Sequence, residues 1–132
     1  MNARRPVSCA LLLVAALCAP LAAAQTLLDF DLWMQQIDRH SQSVLRNIDR
    51  RDSAAGVLDA RQLQDLYQRM ENFYQGRGDA DDAVLASYVG KDHARELVQA
   101  LEDRHFERAS REAIAIARDC NHCHTQFKPM RN

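Results

Sequence analysis

Two cysteines three positions apart, with a histidine directly after the second, form the segment Cys120-Asn121-His122-Cys123-His124. This is the C-x-x-C-H spacing of c-type haem attachment. Two thiols so placed add to the two vinyl groups of one porphyrin, and an imidazole next to the second thiol then stands beneath the iron as its proximal ligand. On this reading Cys120 and Cys123 carry a covalent haem c and His124 binds its iron. A plain disulfide between Cys120 and Cys123 would close a loop too short to constrain much of the unfolded chain. Zinc held by Cys120, His122 and Cys123 would ask for a second pair of ligands at similar spacing, and the sequence has none. A thioredoxin-like redox pair belongs in a βαβ setting, which a helical chain lacks.

The other cysteines, Cys9 and Cys18, fall in a segment that reads as an export signal. Arg4 and Arg5 precede the apolar run Leu11 to Leu17, and Pro20 leads to the small-residue exit Leu21-Ala22-Ala23-Ala24. This layout predicts cleavage before Gln25, so that residues 1–24 are a leader and 25–132 the mature domain. The apolar run is short for a membrane span, so no stable membrane anchor is expected. The expected location is the periplasm, where the two remaining cysteines have no others to pair with.

The whole chain has 17 basic and 18 acidic residues and a formal net charge of −1. Without Arg4 and Arg5 the basic residues fall to 15, a balance of −3 for the mature part. With charges of both signs interleaved, the chain has no basic face for nucleic acid or anionic lipid. Nor does it supply a set of acid–base residues around a substrate pocket, so an enzyme is not expected.

The elements that must position the motif read as helices, because apolar residues recur at three- and four-residue steps and no stretch alternates like a half-buried strand. A first helix over about 27–51 carries Leu27, Phe30, Met34, Ile37, Ser41, Val44 and Ile48 on one face. Gly56 and Asp59 mark a break, and Asp59 with Gln62 has the spacing of a capping box for a second helix. That helix would bury Leu63, Leu66, Tyr67, Met70, Phe73 and Tyr74 and end at Gly76-Arg77-Gly78-Asp79. A third segment, 80–102, places Val84, Leu85, Tyr88, Leu97, Val98 and Leu101 at helical spacing, and Gly90 and Asp92 allow it to be two shorter helices. The last carries Phe106, Ala109, Ala113, Ile116, Cys120, His124 and Phe127 on one stripe, and Pro129 stops it. Four amphipathic segments with short connections predict an all-α, antiparallel, up-down-up-down four-helix bundle.

An export signal, four helices and a single C-x-x-C-H close to the C-terminus resemble the class II cytochromes c, the cytochrome c′ group. The detailed match is confined to Ala117-Arg118-Asp119-Cys120-Asn121-His122-Cys123-His124-Thr125-Gln126-Phe127-Lys128, which is similar to that family's closing pattern of C-x-x-C-H, two residues, an aromatic and a basic residue. The resemblance implies that Phe127 packs near the haem edge and Lys128 near its proximal side. It also implies a sixth-ligand position on the first helix, and Met34, on the inward stripe, is the candidate distal ligand. His40 on the same helix could compete, but is read in preference as a solvent-edge histidine. Tyr67, Met70, Phe73 and Trp33 are expected to pack around the haem, and Arg118 or an arginine of the first helix to pair with a propionate. His93, His105 and His122 are expected at the surface.

Three functions follow as expectations. With a His/Met-ligated iron the chain would transfer single electrons to a periplasmic redox partner protein. With an open distal side it would be a five-coordinate cytochrome c′ whose partner is a small gas, nitric oxide or carbon monoxide. Without haem it would be a helical interaction module closed by a disulfide. The family's habit of pairing through its first two helices implies a homodimer.

Overall fold

Helix α1 spans Leu27–Asp49, α2 Ser53–Arg77, α3 Asp81–Glu102 and α4 Phe106–Phe127, as seen in a computed structural model. The structure describes residues 26–78 and 80–127, and of these not the side chains of Cys123, Gln126 and Phe127. The leader over 1–24, its cleavage before Gln25, and Lys128 lie outside the described residues. Each connection between helices is so short that consecutive helices run in opposite directions, and α1 packs on α2, α2 on α3, α3 on α4 and α4 back on α1. Of these four neighbours α1 and α4 touch least. The described residues contain no strand.

Local chemistry sets the helix ends. Thr26 accepts from the backbone N–H of Asp29 at 3.2 Å while the Asp29 carboxylate accepts from the Thr26 N–H at 2.8 Å, a reciprocal cap on the first turn of α1. Those bonds, the backbone one first, hold the Asp29 carboxyl below its ordinary value. At the start of α2, Asp52 accepts from the N–H of Ala55 at 3.1 Å. The end of α2 is closed by Gly78, whose φ of 72° is the left-handed conformation that glycine adopts without penalty.

Two sequence expectations are corrected here. Neither Gly56 nor Asp59 breaks the chain, because Asp52 already caps α2 and both residues lie inside that helix. Gly56 is buried at a close approach, where a Cβ would stand 3.2 Å from the methyl groups of Leu101 on α3. Asp59 spends its carboxylate on α1, accepting from Asn47 Nδ2 at 2.8 Å and meeting His40 Nδ1 at 2.8 Å. Likewise α3 is one continuous helix through Gly90 and Asp92. Its inner face is made of small residues, Ala83, Ser87, Gly90 and Ala94, followed by Leu97 and Leu101, while Leu85 and Tyr88, expected inside, are exposed. Small residues let the axes of α2 and α3 come close, and a close pair leaves no room for larger inward side chains.

The core otherwise follows the predicted stripes. Phe30, Ile37, Ser41, Val44 and Ile48 of α1 are buried, as are Leu63, Leu66, Tyr67, Met70 and Tyr74 of α2 and Ala109, Ala113 and Ile116 of α4. Leu27, at the open end of α1, is exposed. Phe30, Trp33, Phe73 and Tyr74 form an aromatic cluster with ring centroids 5.1 to 6.3 Å apart, inclined and edge-on, as ring quadrupoles prefer. That cluster joins the start of α1 to the end of α2, the end of the bundle to which α4 brings its cysteines.

Candidate functional site

Helical spacing carries Cys120 one turn beyond Ile116 on the inward stripe of α4, which leaves it half-buried against the core. Its sulfur meets a crevice to which all four helices contribute: Met34 and Ile37 from α1, Tyr67 and Met70 from α2, Ala86 and Ser87 from α3, and Asp119 beside Cys120. The free space inside the crevice is about 20 Å³, room for a single water molecule and well short of a ligand cavity. Thiol and thioether sulfurs, an aliphatic side chain and an aromatic ring make its walls apolar and polarisable.

The Tyr67 hydroxyl stands 3.6 Å from the Sγ of Cys120, within reach of a weak hydrogen bond to sulfur. Burial pushes the Cys120 thiol above its ordinary value, and the Tyr67 hydroxyl partly opposes that shift. Cys120 is therefore a protonated thiol at neutral pH while the crevice is closed around it. Tyr67 is itself held in place by α3, since its ring lies against Gly90 where any Cβ would be 2.3 Å from Cε1. The hydroxyl of Ser87 turns back to its own helix, donating to the carbonyl of Ala83 at 2.8 Å, so it presents no free donor to the crevice.

The polar flank of the site is Asp119. One of its carboxylate oxygens is buried without a hydrogen bond and lies 3.7 Å from Nε2 of His93. The other ring nitrogen of His93 is 2.8 Å from Glu112, so His93 links α3 to α4 and is not the simple surface residue that the sequence suggested. No periodicity signals this pairing, because it depends on how α3 and α4 are rotated toward one another.

Met34, half-buried, and Cys120 thus share one cavity although 86 positions separate them in the sequence. His124 follows Cys120 by four positions on α4 and is exposed, as are Asn121, His122 and Arg118. His40 is engaged by Asp59 and does not line the crevice. The side chains of Cys123 and Phe127 lie outside the described residues. Ala86 and Ser87 were not singled out in the sequence, for want of any motif around them, and Asp119 stood there only as the residue before the C-x-x-C-H segment. Among the described residues no group of three or more His, Cys, Asp or Glu could hold a metal ion, and no helix is long and apolar enough to cross a membrane.

No protein-family model, curated protein or solved structure matches this chain. The all-α arrangement of four packed helices therefore stands on the structure alone.

Proposed function

We propose that this chain is an exported c-type cytochrome that carries one haem and transfers single electrons in the periplasm. The observation that supports this most is the shared crevice, which the first thiol of the C-x-x-C-H segment and a methionine of α1 line together. The lining fits a haem in its chemistry, with a thiol for a thioether link, thioethers for an axial bond, and Ile37, Ala86 and the Tyr67 ring as a dry wall. Since the crevice is smaller than a porphyrin, seating one requires α4 to move outward, and its contact with α1 is the slightest in the bundle.

When bound, the haem supplies a one-electron couple at its iron. The residues of the chain hold and tune it. Cys120 and Cys123 would be its covalent anchors, and His124 and Met34 the side chains that would bind its iron. By the resemblance of the segment, Phe127 and Lys128 would flank it. Around a bound haem, apolar walls of this kind would exclude water and so favour the less charged, reduced state.

Production of the full chain in a periplasm that has the haem-attachment machinery tests this reading. A pyridine haemochrome with the spectrum of two saturated thioether links, retained after acid-acetone extraction, is the expected result. A haem-free product with a Cys120–Cys123 disulfide would replace the cytochrome with a helical interaction module.

A further inference from the structure

The end of the bundle away from Cys120 has a second and larger concavity of about 430 Å³. Four arginines line it, Arg51, Arg104, Arg108 and Arg111, with His105 and Phe106 between them and Glu107 as its one carboxylate. Fourteen residues of α4 separate Phe106 from Cys120, about 21 Å at the rise of an α-helix, so this pocket is no part of the crevice. A concentration of positive charge here runs against the acidic balance of the chain.

The arginines are placed rather than scattered. Arg51 and Arg104 occupy equivalent positions just after the ends of α1 and α3, and both have a φ of 56°. At the opposite end of the bundle the corresponding turn uses Gly78. A left-handed residue is comfortable as glycine and strained as an L side chain, so both turns keep arginine against the local conformational preference. The guanidinium of Arg51 is 5.5 Å from the centroid of the Phe106 ring, which holds it over the start of α4. Arg108 shares its charge with Glu96, but among the described residues Arg104 and Arg111 have no carboxylate partner. Arginine forks of this kind match the paired oxygens of phosphoryl and carboxylate groups. With His105 before it, α4 also lacks a serine, threonine, aspartate or asparagine to cap its first N–H groups, whose dipole favours the same charge.

We propose that this pocket binds a small ligand bearing two or more oxyanion charges, held by Arg104 and Arg111 with Arg51 at its edge. The test is isothermal titration of the purified protein with pyrophosphate and, separately, with citrate, at matched low ionic strength. One-to-one binding of pyrophosphate alone identifies a phosphoryl ligand, and of citrate alone a polycarboxylate. Binding of both identifies a pocket that selects by charge. In each case Arg104→Gly and Arg111→Gln should weaken binding about tenfold. Arg104→Gly also relieves the left-handed strain, so its thermal unfolding should be no lower than that of the parent, and lost affinity then reports the missing guanidinium rather than a damaged fold. If neither ligand binds, or if both variants bind as the parent does, the proposal is wrong.

Discussion

The ring of Tyr67 on α2 lies against the bare Cα of Gly90 on α3, so close that a Cβ there would come within 2.3 Å of the ring. Together with the close approach of Gly56 to Leu101, this contact fixes the spacing of the two helices, and it positions the hydroxyl that reaches Cys120 at 3.6 Å. Gly90→Ala should therefore destabilise the bundle by about 1–3 kcal/mol through overpacking, although alanine is the better helix former by roughly 1 kcal/mol. Urea denaturation measures the net change. A variant as stable as the parent would mean that Tyr67 can leave its place without loss.

Cys120 is expected to be sluggish toward alkylation in the haem-free protein. Burial holds its thiol above the ordinary value, and the thiolate is the reactive form. Iodoacetamide at neutral pH should modify Cys120 far more slowly in the folded haem-free protein than in urea, with the folded rate climbing only above the usual thiol range of about 8.5. Peptide mass mapping separates Cys120 from Cys123. Tyr67→Phe removes the hydroxyl that opposes the shift and should slow the reaction further.

How much of this was legible in the sequence depended on which side chains did the packing. The stripe of α1 was readable because large apolar residues mark it, and that of α4 because Phe106 and Ile116 bracket Ala109 and Ala113 at helical steps, although His124, expected on the same stripe, is exposed; Met34 and Cys120 could be assigned to inner faces from spacing alone. Gly56 and Gly90 misled, since a glycine in a helix looks like a break and here is a point of close approach. The same closeness turned the inner face of α3 over to Ala83, Ser87 and Ala94, residues that carry little hydrophobic signal, and left Leu85 and Tyr88 outside. The contact of Tyr67 with Cys120 and the joining of Asp119 to His93 follow from that helix rotation. No pattern within one segment encodes them.

At the start of α1 the pH dependence has a definite sign. The folded protein holds the Asp29 carboxyl below its unfolded value, through the backbone N–H of Thr26 first and its hydroxyl second. Its contribution to capping is therefore fully present above the ordinary carboxylate value of about 3.9 and is lost as the pH falls through the lower folded value. A carboxyl NMR titration should place the Asp29 midpoint below that of an unfolded peptide. Asp29→Asn should fray the first turn of α1 near neutral pH, seen as faster amide exchange, and differ little from the parent in strong acid. A difference that persists in strong acid would assign the effect to shape rather than charge.

On the proposed cytochrome reading the distal ligand would separate an electron carrier from a gas binder, and Met34 shares its crevice with a second thioether, Met70, which is only 2 % exposed. Met34 is the expected ligand because it is half-buried and so has freedom to reach an iron. Met70 is packed in the core between α2 and its neighbours. Met34→Ala in the haem-loaded protein should convert a low-spin absorption spectrum to a high-spin one and open the ferrous iron to carbon monoxide. Met70→Leu conserves volume and should leave the spectrum unchanged, at a cost in stability below about 1.5 kcal/mol. If Met70→Leu is the variant that turns high-spin, the ligand comes from α2 instead. A parent protein that is already high-spin and takes up carbon monoxide at once would make both methionines packing residues and the chain a five-coordinate gas-binding cytochrome. His40 has a further arm in the same experiment: its ring is tied to Asp59 at 2.8 Å, so His40→Ala should change the spectrum little while loosening the contact between α1 and α2.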